Sequence, residues 1–292
     1  MVMTTYKFAV FILVHGRPDR VVTYHTLKKQ GYTGDIYLIA DNEDKTVPQY
    51  KEKFGEDKII IFDKLAMAQR IDTGDNSQER RAAVFARNAC FDIARNLGID
   101  YFLQLDDDYN GFYYTFTGDL KYHQKPVKYS LDRLFQSVLE YYISIDALTI
   151  AFAQGGDLIG GKNNNMMGAI KIKRKAMNTF FCSIHRPFEF TMRVNDDVNA
   201  YIRYGNRGKL IFTLYNLIIK QPATQKVKGG MTELYQNEGT YPKSFSTVMI
   251  APSCTKIAMM GDKHPRIHHQ INWGNAVPCI LDEKYRKRSH HA

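Results

Sequence analysis

The chain is poor in cysteine and nearly devoid of tryptophan, with four Cys and one Trp among 292 residues. Cys90, Cys182, Cys254 and Cys279 are widely spaced and form no CxxC pair, which argues against a disulfide scaffold or a paired-thiol metal knot. Such usage suits a reducing cytosol. Long apolar runs are also missing. Nothing approaches the roughly 20 residues a membrane-spanning helix needs. The longest run near the N-terminus, residues 8–14, has strand length and no small-residue cleavage site after it. The chain lacks an internal repeat, a low-complexity tract and a Pro/Ser-rich linker. Its Gly-Gly pairs are not followed by Gly-Lys-Ser/Thr, so no phosphate-binding Walker loop is present, and there is no nucleophile elbow. Helix-turn-helix and zinc-finger spacings are absent too. These absences lead us to expect a soluble, cytoplasmic protein without a membrane partner.

What is present is a chain that can fold. Hydrophobic residues make up 44% and aromatic residues 13%, enough for a sizeable core and too much for a disordered chain. Lys and Arg total 40 against 30 Asp and Glu, for a net charge of +10. That excess favours polyanionic partners such as nucleic acid, nucleotides or acidic membranes, although a generic basic surface would show it too.

The first half alternates strand and helix signals. Residues 7–14, 35–40, 58–62 and 101–105 read as short apolar strands, and residues 20–30 and 78–97 as helices stopped by Gly31 and Gly98. Strands buried on both faces and alternating with helices imply an α/β fold with a mostly parallel sheet. Ligands on such sheets gather at the carboxyl ends of the strands. Here those ends carry His15-Gly16-Arg17, Asp41 to Asp44 and Asp106-Asp107-Asp108. The second half is less regular. We read a helix at 131–145, strands at 147–153 and 166–172, a helix at 196–204, and a strand or hairpin at 210–220.

Asp106-Asp107-Asp108 is the sharpest local signal. In extended backbone Asp106 and Asp108 face one side, and two hard oxygen ligands suit Mg²⁺ or Mn²⁺. Three adjacent carboxylates repel unless a cation offsets them; an acidic turn capping the next element is the plain alternative. Asp196-Asp197 opens a later helix, where acidic residues serve as caps and where Asp197 could act as a general base. In the strand-like stretch Arg266 to Trp273, alternation points His268 and His269 to opposite faces, so at most one meets a metal. Arg87 could clamp a diphosphate with its planar fork, whereas Arg80 and Arg81 also read as solvated helix charges. Lys121, His123, Lys125 and Lys128 interleave with Tyr122 and Tyr129, and residues 171–175 and 285–288 are further basic runs. That mixture suits phosphate contacts with base stacking. The loop at 155–162 is a second candidate for such contact.

A strand ending in Asp-x-Asp, preceded by Arg-Asn on a helix and followed by Asp-Asp and a late His, resembles the GT-A glycosyltransferases. More narrowly, FILVHGRPDR, YFLQLDDDYNGF, RPFEFTMRVNDDVNAY, GGMTELYQNEGTYPKSF and RIHHQINWGNAVP resemble the TET-associated DNA glycosyltransferases of bacteriophages. The resemblance implies one Rossmann-like GT-A domain over residues 1–292, with a nucleotide-sugar-binding half (1–110) and an acceptor-binding half (111–292). It also implies a UDP-sugar donor with Mn²⁺ or Mg²⁺, and DNA carrying 5-hydroxymethylcytosine or an already modified hydroxymethylpyrimidine as acceptor. His15, Gly16, Arg17 and Asp41 would line the nucleotide pocket, and Arg87 would reach the diphosphate or the sugar. Asp106 and Asp108 would bridge the metal with Asp107 between them, and His268 or His269 would be the late metal ligand. Asp197 matches the base of inverting members, while Asp196 stands where Glu is expected. A GT-A enzyme with a glycan, protein or small-molecule acceptor, a nucleotidyltransferase, and a non-enzymatic nucleic-acid-binding module are the competing readings.

Overall fold

The computed structural model describes residues 6–78, 80–119, 121–154, 170–171, 179–221, 241–260, 265–276 and 282–285. The elements run in chain order as β1 (Phe8–Leu13), α1 (Val22–Lys29), β2 (Asp35–Asp41), α2 (Val47–Phe54), β3 (Ile59–Phe62), α3 (Lys64–Arg70), α4 (Ala83–Asn96) and β4 (Tyr101–Asp106). There follow β5 (Gly111–Phe116), β6 (Tyr122–Pro126), α5 (Leu131–Ser144), β7 (Thr149–Gln154), β8 (Ile170–Lys171), β9 (Thr179–Ser183), α6 (Asp196–Gly205) and β10 (Ile211–Lys220). Then come α7 (Tyr241–Ile250), the ribbon strands β11 (Thr255–Met260) and β12 (Arg266–Ile271), the short helix α8 (Trp273–Ala276) and a 3₁₀ turn at Glu283–Tyr285.

Ten strands form one continuous mixed sheet in the order β3-β2-β1-β4-β9-β7-β10-β5-β6, with β8 pairing β10 off this path. The α/β class and the parallel core expected from the sequence are both present. β3, β2, β1 and β4 are parallel neighbours, while β9, β5 and β6 join antiparallel. β1 shows why the N-terminal strands read as unbroken apolar runs. Ala9, Phe11 and Leu13 pack into one core cluster with α4 and α6. Val10, Ile12 and Val14 pack into a second with α1, α2 and α5. Both faces are covered, so alternation is lost. Each such Phe, Leu or Ile stabilises the fold by about 1.5–3 kcal/mol.

Several expected boundaries move. The helix read at 78–97 begins only at Ala83; in the stretch before it Arg80 is drawn to Glu43 instead. The expected helix at 20–30 splits into a 3₁₀ turn at Pro18–Arg20 and α1. Residues 210–220 form one strand, not a hairpin, with an irregularity between Leu214 and Ile218. Of the strand read at 166–172 only Ile170–Lys171 lies within the described residues, as do none of 155–162. Among the described residues no helix is long and apolar enough to cross a membrane.

Candidate active site at the carboxyl edge of the parallel strands

Because β1, β2 and β4 run parallel, their carboxyl ends deliver His15, Asp41 and Asp106 to one edge of the sheet. Successive side chains of the Asp106-Asp107-Asp108 segment then part. Asp106 Oδ1 meets Arg87 Nη2 of α4 at 3.0 Å, and Asp107 Oδ1 meets Arg17 Nη2 at 2.6 Å on the face covered by α1. The backbone there is pinned to α1 as well, with Thr23 Oγ1 donating to the Asp106 carbonyl at 2.6 Å and Thr23 N–H to that of Asp107 at 3.0 Å.

Arg87 is the hinge of the site. Its side chain is only 3% exposed. Nε donates to Asp196 Oδ2 at 2.9 Å while Nη2 donates to Asp106. The guanidinium also lies 5.3 Å and 5.7 Å from the ring centres of Phe180 and Phe190, within cation–π range. One cation thus ties the end of β4 to the start of α6. Arg87, expected at the diphosphate, has two of its nitrogens engaged by carboxylates, and its buried Nη1 lacks a partner. Asn88, the next residue, holds the approach to α6. Its Nδ2 donates to the Phe190 carbonyl at 2.8 Å and its Oδ1 accepts from Phe190 N–H at 2.9 Å. The chain then turns through Asn195 with φ of 55°, which presents Asp196 and Asp197 at the first turn of α6. Val198 N–H fixes Asp197 Oδ1 at 2.8 Å.

The charges of this edge are frustrated. Burial, with smaller contributions from Asp108 and Asp106, pushes Asp107 up to about 7, against the lowering effect of Arg17. Asp108 rises to about 6 through burial and the Asp106 charge. Asp196 is raised by burial and by Asp197, with Arg87 opposing. Asp107 was expected beside the nucleotide; it is instead 2% exposed and bonded to Arg17, with Oδ2 buried and unpartnered. Arg17 correspondingly faces inward.

On the neighbouring strand end, His15 Nδ1 lies 2.8 Å from Asp41 Oδ2, and the buried Lys64 Nζ lies 3.3 Å from the same oxygen. Burial alone would raise Asp41, but the His15 hydrogen bond and Lys64 hold it below the ordinary carboxylate value. Gly16, at φ of 67°, donates its N–H to Asp44 Oδ2 at 2.8 Å. Lys64, Asp44 and Tyr50, whose hydroxyl accepts from Arg17 N–H at 2.9 Å, complete a buried polar cluster beneath this strand end that the sequence identifies only in part. Arg80 leaves the helix and grips Glu43 through Nε and Nη2 at 3.0 and 2.7 Å.

The two late histidines do not point to opposite faces. Their rings stack at 4.3 Å, since a two-stranded ribbon such as β11–β12 twists more strongly than a broad sheet. His269 is buried. Its Nδ1 sits 3.4 Å from Asn195 Nδ2, the amide nitrogen identified by its 2.5 Å bond to the Lys243 carbonyl. His269 thereby supports the Asn195 turn, and His268 remains the half-exposed member of the pair. Among the described residues no three His, Cys, Asp or Glu side chains converge as a metal site.

A polar edge at the carboxyl ends of parallel strands, with an acidic strand end bridged to a second acidic pair by arginine, lies where ligands gather on such sheets. The model for the TET-associated glycosyltransferases matches residues 8–230, well over half of the sequence, and the chain belongs to that family of enzymes. No curated protein matches it. Among solved structures it is similar to glucosyl-3-phosphoglycerate synthase from Mycobacterium tuberculosis in complex with Mn²⁺, UDP and phosphoglyceric acid, at 8% identity and a TM-score of 0.45, covering 91% of this chain and 87% of that one. The same enzyme with Mg²⁺ and UDP gives 8%, 0.47, 92% and 88%. Residues 1–349 of TarS from S. aureus give 9%, 0.42, 73% and 60%.

Proposed function

We propose that this glycosyltransferase moves a sugar from a UDP-sugar to the hydroxyl of 5-hydroxymethylcytosine, or of an already modified hydroxymethylpyrimidine, in phage DNA. The observation that carries the site assignment is the Arg87 bridge, which sets Asp106 and the Asp196-Asp197 pair at a fixed separation on one edge. The family membership and the +10 charge support a polyanionic acceptor.

The carboxylates at the end of β4 are of the hard-oxygen type that a divalent cation takes. Asp106 and Asp108 offer carboxylate oxygens, and Asp108 is destabilised as an anion by Asp106. Asp106 and Asp108, with His268 as a candidate further ligand, would hold Mn²⁺ or Mg²⁺, which would offset the charge that builds on the departing diphosphate. The chain's own residues do the rest. His15, Gly16 and Asp41 line the nucleoside end. Asp197, oriented by Val198 N–H, accepts the hydroxyl proton as the acceptor oxygen bonds to the anomeric carbon. The bond from that carbon to the diphosphate breaks, and its electron pair leaves with UDP. Arg87 is a positioning residue: it keeps Asp196 ionised and aligned beside Asp197.

A UDP-release assay tests this reading. With Mn²⁺ and a panel of UDP-sugars, release from one donor should require hydroxymethylcytosine DNA and should be lost with unmodified DNA. Release that ignores the DNA, or that follows a glycan or small-molecule acceptor, would overturn it.

A further inference from the structure

The transfer chemistry leaves one strained surface residue unused. Tyr129 is 85% exposed and holds a φ of 50°, a left-handed conformation that strains a non-glycine residue. The strain is imposed by its neighbours. Ser130 and Leu131 N–H both donate to the Gln30 carbonyl, at 3.0 and 3.2 Å. The buried Gln30 amide donates in turn to the carbonyls of Phe112 and Val127, at 2.9 and 2.6 Å. Gly31 lets the Tyr129 backbone pass, since a Cβ there would lie 2.6 Å from the Tyr129 Cα and carbonyl carbon. A rigid mount therefore holds an aromatic ring in solvent.

The surroundings are basic. Lys28 and Lys29 end α1 beside this turn, and Lys125 and Lys128 precede it; all four are exposed. Of the acidic residues near it, Asp35 is exposed and Asp132 is engaged by Thr33 N–H and Oγ1 at 2.8 and 2.7 Å. Helix α1 also ties this turn to the acidic strand end. Its Thr23 binds the Asp107 carbonyl, and seven residues later Gln30 receives Ser130 and Leu131. At 1.5 Å per residue that separation is about 10 Å. The outward side of α1 carries His25, Lys28 and Lys29 along the way. A nucleic-acid strand advances about 3.4 Å per nucleotide, so about three steps cover the span.

We propose that Tyr129 is a stacking platform for an unpaired base about three nucleotides from the base that is glycosylated, with Lys28, Lys29, Lys125 and Lys128 on the flanking phosphates. This rests on the DNA-acceptor reading above and deepens it with a second, non-reacting contact. Stacking on an aromatic ring tolerates any base, and lysines follow the backbone regardless of sequence. The platform thus sets strand register and direction without selecting sequence.

Fluorescence anisotropy with a labelled 12-nucleotide single strand bearing one central hydroxymethylcytosine tests it. Tyr129→Ala should weaken binding about tenfold or more, while Tyr129→Trp stays within about threefold of wild type. Tyr129→Asn, which suits the left-handed backbone, should weaken binding as much while raising the melting temperature. An abasic position about three nucleotides to one side of the target should weaken wild type by the same factor and leave Tyr129→Ala unaffected. Each Lys→Ala change should lower the slope of log K against log salt by about 0.7. Binding of UDP, which reads the donor site, should be unchanged in all of them. Wild type that modifies DNA beside a Tyr129→Ala variant that binds as tightly overturns this inference alone, as does a loss that ignores the abasic position. Wild type that neither binds nor modifies DNA overturns the acceptor reading, and this inference with it.

Discussion

Replacing Arg87 by Met removes the cation shared by Asp106 and Asp196 while keeping much of the aliphatic volume. The side chains of Asp196 and Asp106 are 16% and 29% exposed, so water can repair the Asp106 side more readily than the Asp196 side. Breaking a buried ion pair from one side costs about 3–5 kcal/mol, and loss of the Phe180 and Phe190 contacts adds about 0.5–1 kcal/mol. We expect a loss of about 4 kcal/mol at pH 8. The sign of the pH dependence follows from Asp196. Its folded pKa is already raised, chiefly by burial, with Arg87 the main opposing influence; without Arg87 it rises further. A folded state that binds the proton more tightly than the unfolded chain gains stability as pH falls through the window between the two pKa values. The window opens at the ordinary carboxylate value of about 4 and extends above the wild-type folded value. The deficit of Arg87→Met should therefore shrink from pH 8 to pH 5, because Asp196 takes up a proton. Urea denaturation at pH 8, 6.5 and 5 measures it. A variant within about 0.5 kcal/mol of wild type at pH 8, or one whose deficit grows on acidification, would refute the assignment of Arg87 as the buried bridge.

Three further outcomes follow from the same geometry. Asp197→Asn should lower kcat by about 10²–10⁴ while leaving the KM for the UDP-sugar within about threefold, because it removes the proton acceptor and not a donor contact; steady-state kinetics measures both. Asn88→Ala loses the paired bonds to Phe190 and should cost about 2–3 kcal/mol in urea, with kcat falling more than KM because the segment before Asp196 is loosened. Gly31→Ala combines a φ of 87° with a Cβ 2.6 Å from the Tyr129 backbone, and should destabilise the chain by more than about 1 kcal/mol in thermal melts.

Much of this edge was legible from the order of residues alone. β1, β2 and β4 announced themselves as apolar runs because both of their faces are covered, and the residues after them had to fall at one sheet edge. Asp106, Asp108, Asp196, Asp197 and Arg87 were all nominated on chemical type. Their connection was not legible, since Arg87 and Asp196 lie 109 residues apart and no local pattern joins them. α2 and α3, at eight and seven residues, are too short for helical periodicity to stand out. β9 was missed because Thr179–Ser183 is only five residues long and its polar ends leave an apolar run of three. The inward turn of Asp107 toward Arg17, the stacking of His268 on His269, and the left-handed Asn195 and Tyr129 all arise from tertiary contacts. A propensity reading has no access to those.

The most direct test of the central claim is mass spectrometry of the nucleosides. Hydroxymethylcytosine-containing DNA is incubated with the protein, Mn²⁺ and a UDP-sugar panel, then digested to nucleosides. The account predicts a new nucleoside heavier than 5-hydroxymethyldeoxycytidine by one sugar, made from one donor and strongly reduced with Asp197→Asn or Asp106→Ala. Unchanged nucleosides alongside metal-dependent UDP release to another acceptor would contradict it.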